Sequence, residues 1–486
     1  MNGEVAIGAD RAGASPPEAS TLPASAGYVL PAIDAGNRLL VQAWLGLALA
    51  ALLGSGVFAI LLVLARTPGV NAVLPTADFF RIALVVHVDL SVLVWFVAIA
   101  GMLWSLNLRP FATPLGRAVA GAPLALCALG SLAMGVAAFV DPGEAIMANY
   151  IPVLDSAAFR GALWLFGAGS LLLVLLGLAR GQRVGTAVDG SAALRFGLHA
   201  SVVAGAVALL AFGWSLLEVP RALPAKAYYE ILFWGGGHAV QFTWTLLMLV
   251  SWLALARACG GRVPLSPRVV LVLFVIALGG VFVTPLAYLM HDVASVEHRA
   301  MHTWAMRIGG GLAIAPVALA ALIAVLPLRQ LPAEQRPLRA ALLASMLLFV
   351  AGGVIGIGIQ GSNVKIPAHY HGCIVGVTLA LMGVVYWLLP RLGFAAPRGR
   401  LAVTQPWLYG IGQLLHIIGL VWSGGYGVQR KVAGSEQVLR SAGEVAGMGL
   451  MGLGGLLAII GGLLFALVVI GAMRGRRRAP QPAENQ

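Results

Sequence analysis

The sequence predicts an all-α, polytopic membrane protein built from twelve transmembrane helices. Three observations predict it. Of 486 residues, 60% are hydrophobic and only 10% are charged, against about 25% charged in ordinary soluble domains. The apolar residues gather into twelve long runs, and a bilayer-spanning helix needs roughly 20 mostly apolar residues. The 62 glycines suit the close helix–helix contacts that form in lipid.

In order, the runs are 37–65, 78–108, 116–140, 157–180, 192–217, 226–257, 267–292, 297–327, 337–362, 366–392, 404–428 and 443–473. The loops between them are too short for a soluble domain, so 37–473 reads as one membrane domain. Residues 1–36 are small, polar and proline-dotted. They read as a flexible cytoplasmic tail and lack the basic start and short apolar core of a signal peptide. Residues 474–486, RGRRRAPQPAENQ, read as a basic cytoplasmic tail.

The net charge of +13 does not point to nucleic acid, because arginine collects in alternate loops. Arg109 and Arg117, Arg180 and Arg183, Arg257 to Arg268, Arg329 to Arg339, Arg391 to Arg400 and Arg474 to Arg478 mark one side. Asp141, Glu144, Asp155, Asp292 and Glu297 lie in the other loops. This is the positive-inside pattern. It places both termini in the cytoplasm and starts even-numbered helices outside. The cysteines Cys127, Cys259 and Cys373 have no CxxC spacing, so no disulfide framework, zinc knuckle or CxxCH haem attachment is expected.

The nine histidines carry the chemistry. Ionisable groups at membrane depth are costly and mark functional sites. His199 and His416 read as hydrogen-bonded core residues. On this topology His87 in the second run, His238 in the sixth, His291 closing the seventh, and His369 and His371 opening the tenth all lie in the outer half of the bilayer. A shared metal or haem site requires such agreement in depth. His369 and His371 are two residues apart, and each helical residue turns about 100°, so the pair points about 200° apart. They can hold two cofactors on opposite sides of one helix, since neutral imidazole is a haem-iron ligand.

The stretch AHYHGCIVGVTLALMGVVYWLLPRLG resembles the tenth helix of the main catalytic subunit of the haem–copper oxidase superfamily. HVDLSVLVWF, LFWGGGHAVQF and GLVWSGGYGVQRKV resemble its second helix, sixth helix and the segment after its eleventh. The resemblance implies that His87 and His371 bind a low-spin haem, of b type, and that His369 binds a high-spin haem. It also implies that His238 binds copper, and that Arg430 and Lys431 neutralise haem propionates. It implies an inner-membrane respiratory enzyme that reduces oxygen or nitric oxide. Its electrons come from a second subunit, a soluble cytochrome or cupredoxin, or quinol.

Departures from the family pattern shape the remaining expectations. Phe242 stands where oxidases carry a cross-linked tyrosine and nitric oxide reductases a glutamate. The expected His-His pair closing the seventh helix is here Met290-His291, and a thioether suits Cu(I); Met290 also reads as a lipid- or core-facing residue. Tyr288, one turn before His291, offers a replacement redox tyrosine or is an interfacial residue. His298 and His302 are one turn apart on one helix face, which is metal-ligand spacing, and offer a third copper ligand or sit in the outer interface. The loop SLNLRPFATPLGR has no carboxylate, so proton pumping through the family's best-known channel is not expected. The leading reading is a terminal oxidase. The alternatives are a nitric oxide or other small-molecule reductase, and a haem-only electron carrier or sensor.

Overall fold

The structure, a computed structural model, describes residues 27–67, 77–186, 188–309, 311–359, 363–431 and 438–475, with main chain only for 77–79. Its helices are α1 (Arg38–Arg66), α2 (Phe80–Leu106), α3 (Pro114–Val140), α4 (Ala157–Arg180), α5 (Gly190–Glu218) and α6 (Ala225–Ala258). They continue with α7 (Pro267–Met290), α8 (Val296–Val325), α9 (Arg336–Ile357) and α10 (Lys365–Leu388), and end with α12 (Ala442–Arg474). Among the described residues these eleven are long and apolar enough to cross a membrane. Between the last two lies α11 (Arg400–Gly425). At 26 residues it is roughly 39 Å long, but it carries Gln405, Gln413 and His416 along its apolar length. The chain is therefore an integral membrane protein with the helix order expected.

Two helices depart from regular α geometry near the histidines. α2 opens into wide π-type turns over Asp89–Val94, directly after His87, and such turns gather at functional sites. Ser91 contributes by donating its hydroxyl to the His87 carbonyl at 2.6 Å. α8 is helical over Val296–Gly309 and Ile314–Val325.

α6 and α10 sit at the centre of the bundle: 83% of the apolar window of each is buried, against 28% for α1. Glycines bring the surrounding helices close. A Cβ on Gly372 of α10 would fall 2.5 Å from Gly352 Cα of α9. A Cβ on Gly454 of α12 would fall 2.3 Å from the His416 backbone nitrogen of α11. In lipid, where apolar burial gives no advantage, such backbone contact drives helix association.

A short antiparallel hairpin, β1 (Ala145–Ile146) and β2 (Val153–Leu154), caps the bundle between α3 and α4. It pairs Ala145 with Leu154 and Ile146 with Val153. The tail expected over 1–36 is packed where it is described: Tyr28 and Leu30 are each 3% exposed, and the Tyr28 hydroxyl donates to Leu265 O at 2.7 Å. Residues 1–26 and 476–486, which make up most of the two expected tails, lie outside the described residues.

Candidate metal and haem centre

One continuous cavity of about 2350 Å³ runs through the bundle beside α10. Ordinary single-ligand pockets occupy about 300–1,000 Å³, so this space suits more than one large group. His87, His238, His369, His371, His416, Arg430 and Lys431 all line it.

On one side of α10 the His371 ring stacks on Tyr370 and meets His416 of α11, ring centroids 5.0 Å apart. His416 Nδ1 donates to Met451 O at 2.9 Å. His87 of α2 has Nδ1 3.0 Å from both Ser55 O and Ser55 Oγ of α1. A carbonyl acceptor fixes the proton on Nδ1 and leaves the Nε2 lone pair free, the form in which histidine ligates a metal. The other side belongs to His369. Its Nδ1 donates to Gly352 O of α9 at 2.7 Å. Gly356 makes room for the ring, since a Cβ there would come 2.6 Å from His369 Nδ1.

The second group of imidazoles joins α6 and α8. His238 Nδ1 lies 2.8 Å from Trp234 O, and the His238 and His302 ring centroids are 5.9 Å apart. His298 and His302 are in contact at 4.6 Å, and His302 Nδ1 donates to His298 O at 2.8 Å. Three buried ring nitrogens then have no hydrogen-bond partner: His298 Nδ1, His298 Nε2 and His302 Nε2. A buried polar atom left unsatisfied costs about 1–3 kcal/mol, and a cation answers that deficit. Imidazole donors fit copper. Among the described residues no three His, Cys, Asp or Glu side chains stand close enough together to hold a metal ion as placed.

This arrangement departs from the expectation at the end of α7. Met290 is 64% exposed and does not line the cavity: it is the last helical residue of α7 and faces outward. His291 follows in extended conformation as the helix cap, half-buried, and like His298 and His302 it is outside the cavity lining; what separates it from them is that they are buried and in ring contact with one another. The histidines brought to His238 are His302, in ring contact with it, and His298 through His302. Tyr288 points inward instead. Its hydroxyl donates to Ala211 O at 3.1 Å and pairs with Ser215 Oγ at 2.6 Å. Its ring stacks on Trp214 and stands edge-on to His298 at 4.6 Å. Phe242 is buried, 2% exposed.

Arg430 and Lys431 reach into the cavity from beyond α11. Burial, reinforced by the Arg430 charge, pushes Lys431 down to about 8. Asp89 is buried with both carboxylate oxygens unpartnered. Sequence reasoning missed Tyr150, which places its hydroxyl 2.8 Å from His238 Nδ1 and 3.0 Å from Nε2. The available signal was the run Gly235-Gly236-Gly237 before His238. Each glycine takes an aromatic ring: Tyr288 on Gly235, Phe212 on Gly236 and Tyr150 on Gly237. Three consecutive missing side chains imply incoming bulk, but not its source.

Comparison with known proteins bears on the family and the fold. The sequence model of "Cytochrome C and Quinol oxidase polypeptide I" matches residues 39–464. An uncharacterized protein of Rickettsia prowazekii, RP382, is 29% identical over 89% of this chain and 95% of its own length. Cytochrome c oxidase subunit 1 of Thermus thermophilus is 25% identical over 57% of this chain and 53% of its own length. A cryo-EM structure of a heme-copper terminal oxidase dimer superposes with a TM-score of 0.74 at 16% identity, over 92% of this chain and 86% of that one.

Proposed function

Because the chain belongs to the cytochrome c and quinol oxidase polypeptide I family, we propose that it is the catalytic subunit of a terminal oxidase of the bacterial inner membrane that reduces oxygen to water. His87 and His371 would hold a low-spin haem, of b type. His369 would hold a high-spin haem, and His238, His298 and His302 a copper. When bound, these groups supply one-electron relay and oxygen chemistry. The chain's own residues supply the rest. The Nδ1–carbonyl bonds of His87 and His369 keep Nε2 of each ring available. Arg430 and Lys431 offer positive charge to haem propionates. Tyr288 keeps a proton on a hydroxyl fixed by Ala211 and Ser215, beside His298. The apolar walls of the cavity exclude bulk water. With no CxxCH in the sequence, electrons would arrive from a second subunit, a soluble cytochrome or cupredoxin, or quinol.

The observation that carries this reading is the set of three unpartnered ring nitrogens on His298 and His302, next to His238 and Tyr288. The donors are imidazoles, and Phe242 supplies no carboxylate of the kind that the nitric oxide reductase alternative uses. The test is turnover of the purified protein with a reduced artificial donor. Oxygen consumption with water as product is expected, lost in His238→Ala and His369→Ala. Nitric oxide reduction without oxygen consumption, or no turnover of either, would overturn the reading.

A further inference from the structure

The loop of the β1–β2 hairpin sets Tyr150 against His238, with the two ring centroids 5.0 Å apart. The Tyr150 ring lies directly over Gly237, where a Cβ would come 2.2 Å from Tyr150 Cγ. Tyr150 has a φ of +31°. A bulky residue in the left-handed region is strained and persists only where its surroundings over-determine it.

Those surroundings are the basic pair after α11. Lys431 Nζ donates to Met147 O. Arg430 Nη1 and Lys431 Nζ reach Asn149 Oδ1 at 3.3 Å and 3.4 Å. Lys431 itself has a φ of +64°. Among the described residues Tyr150 and Lys431 are the two non-glycine positions with positive φ, and the Lys431 contact is made with Asn149, the neighbour of Tyr150.

We propose that Tyr150 is a positioning residue for His238, and that Asn149, held by Arg430 and Lys431, fixes Tyr150 in place. The proposal rests on the reading above that His238 holds a metal. Trp234 O and the Tyr150 hydroxyl, which stands 2.8 Å from Nδ1 and 3.0 Å from Nε2, together fix the rotation of the imidazole; a metal on Nε2 would leave the hydroxyl to the Nδ1 edge of the ring. The same hairpin ties the polar end of the cavity, where Arg430 and Lys431 lie, to the metal side, so a disturbance at the basic pair reaches His238 through the consecutive residues Asn149 and Tyr150.

The full-length purified protein, stripped of copper with a chelator and titrated with Cu(I), tests this. Tyr150→Phe keeps the ring over Gly237 and removes only the hydroxyl. Asn149→Ala loosens the clamp and keeps the hydroxyl. Each should weaken Cu(I) binding by about 10–100-fold, the usual effect of losing a group that orients a metal ligand. Each should also shift or broaden the infrared stretch of carbon monoxide on the Cu(I), a signature that general loss of packing would not confine to this site. Unchanged or tighter Cu(I) binding in Tyr150→Phe would overturn the proposal. His238→Ala separates the two ideas: if the wild type takes up no Cu(I), or His238→Ala binds it as well as the wild type, the metal assignment of His238 fails and the proposal fails with it.

Discussion

The two histidine groups beside α10 are built differently. His87, His369 and His416 each tie Nδ1 to a carbonyl of a different helix: Ser55 of α1, Gly352 of α9 and Met451 of α12. His238 and His302 use carbonyls one turn back on their own helices, Trp234 and His298, and His298 uses none. A bond to a neighbouring helix fixes a ring against the bundle. A bond within the helix fixes the ring only against its own backbone. The first group is therefore preorganised by the fold, whereas on the proposed reading the second would depend on its metal and on Tyr150 for its final geometry.

The largest expected effect falls on the preorganised group. His87→Ala and His371→Ala should each abolish the low-spin bis-imidazole absorption spectrum, while His416→Ala should keep it. Loss of that spectrum in His416→Ala alone would mean that the axial partner of His371 has been misassigned. On the other side, Met290→Leu should leave copper content at the wild-type level, because Met290 faces outward. A fall of half or more would restore the thioether as a ligand and break the contrast. Proton translocation in sealed vesicles should not exceed the charge movement of the chemistry itself, given the carboxylate-free segment 105–117. Robust outward pumping would show another entry path.

The smallest effect is at Lys431. Its pKa lies near 8 in the folded chain, against 10.5 as the ordinary value. Between these values the unfolded chain holds more protons, so stability rises with pH. Haem-depleted protein should show this rise between about pH 8 and 10.5, and Lys431→Met should remove it. Haem-loaded protein should show less of it, because propionates favour the charged lysine.

That His87, His369 and His371 share one cavity could be read from the sequence, and the reason is physical. His369 and His371 sit on one regular helix, where spacing alone sets direction. His87 lies in an apolar run, where an imidazole is conspicuous. The second group was less legible. The end of α7 is a helix terminus, and sequence spacing does not say which way the chain leaves it. His291 adopts an extended conformation there, which turns the Met290-His291 step away from the cavity. The one-turn spacing of His298 and His302 was visible, but their contact with His238 depends on how α8 packs on α6. Tyr150 was not legible, because its placement rests on a hairpin of four paired residues and on a positive φ that no residue type announced. The helix order was read correctly because apolar runs of bilayer length leave little choice. The run 404–428 was read as apolar with the others; the helix over it, α11, is the one of the twelve that falls short of the apolarity of a membrane span.

The most direct measurement is copper per haem in His298→Ala and His302→Ala, set beside His291→Ala, in purified protein. The wild type should carry one copper for two haems. Both His298→Ala and His302→Ala should lose most of that copper while keeping both haems, and His291→Ala should retain it. Full copper in His298→Ala and His302→Ala, with loss in His291→Ala, would contradict the assignment of the second group and return the site to the end of α7.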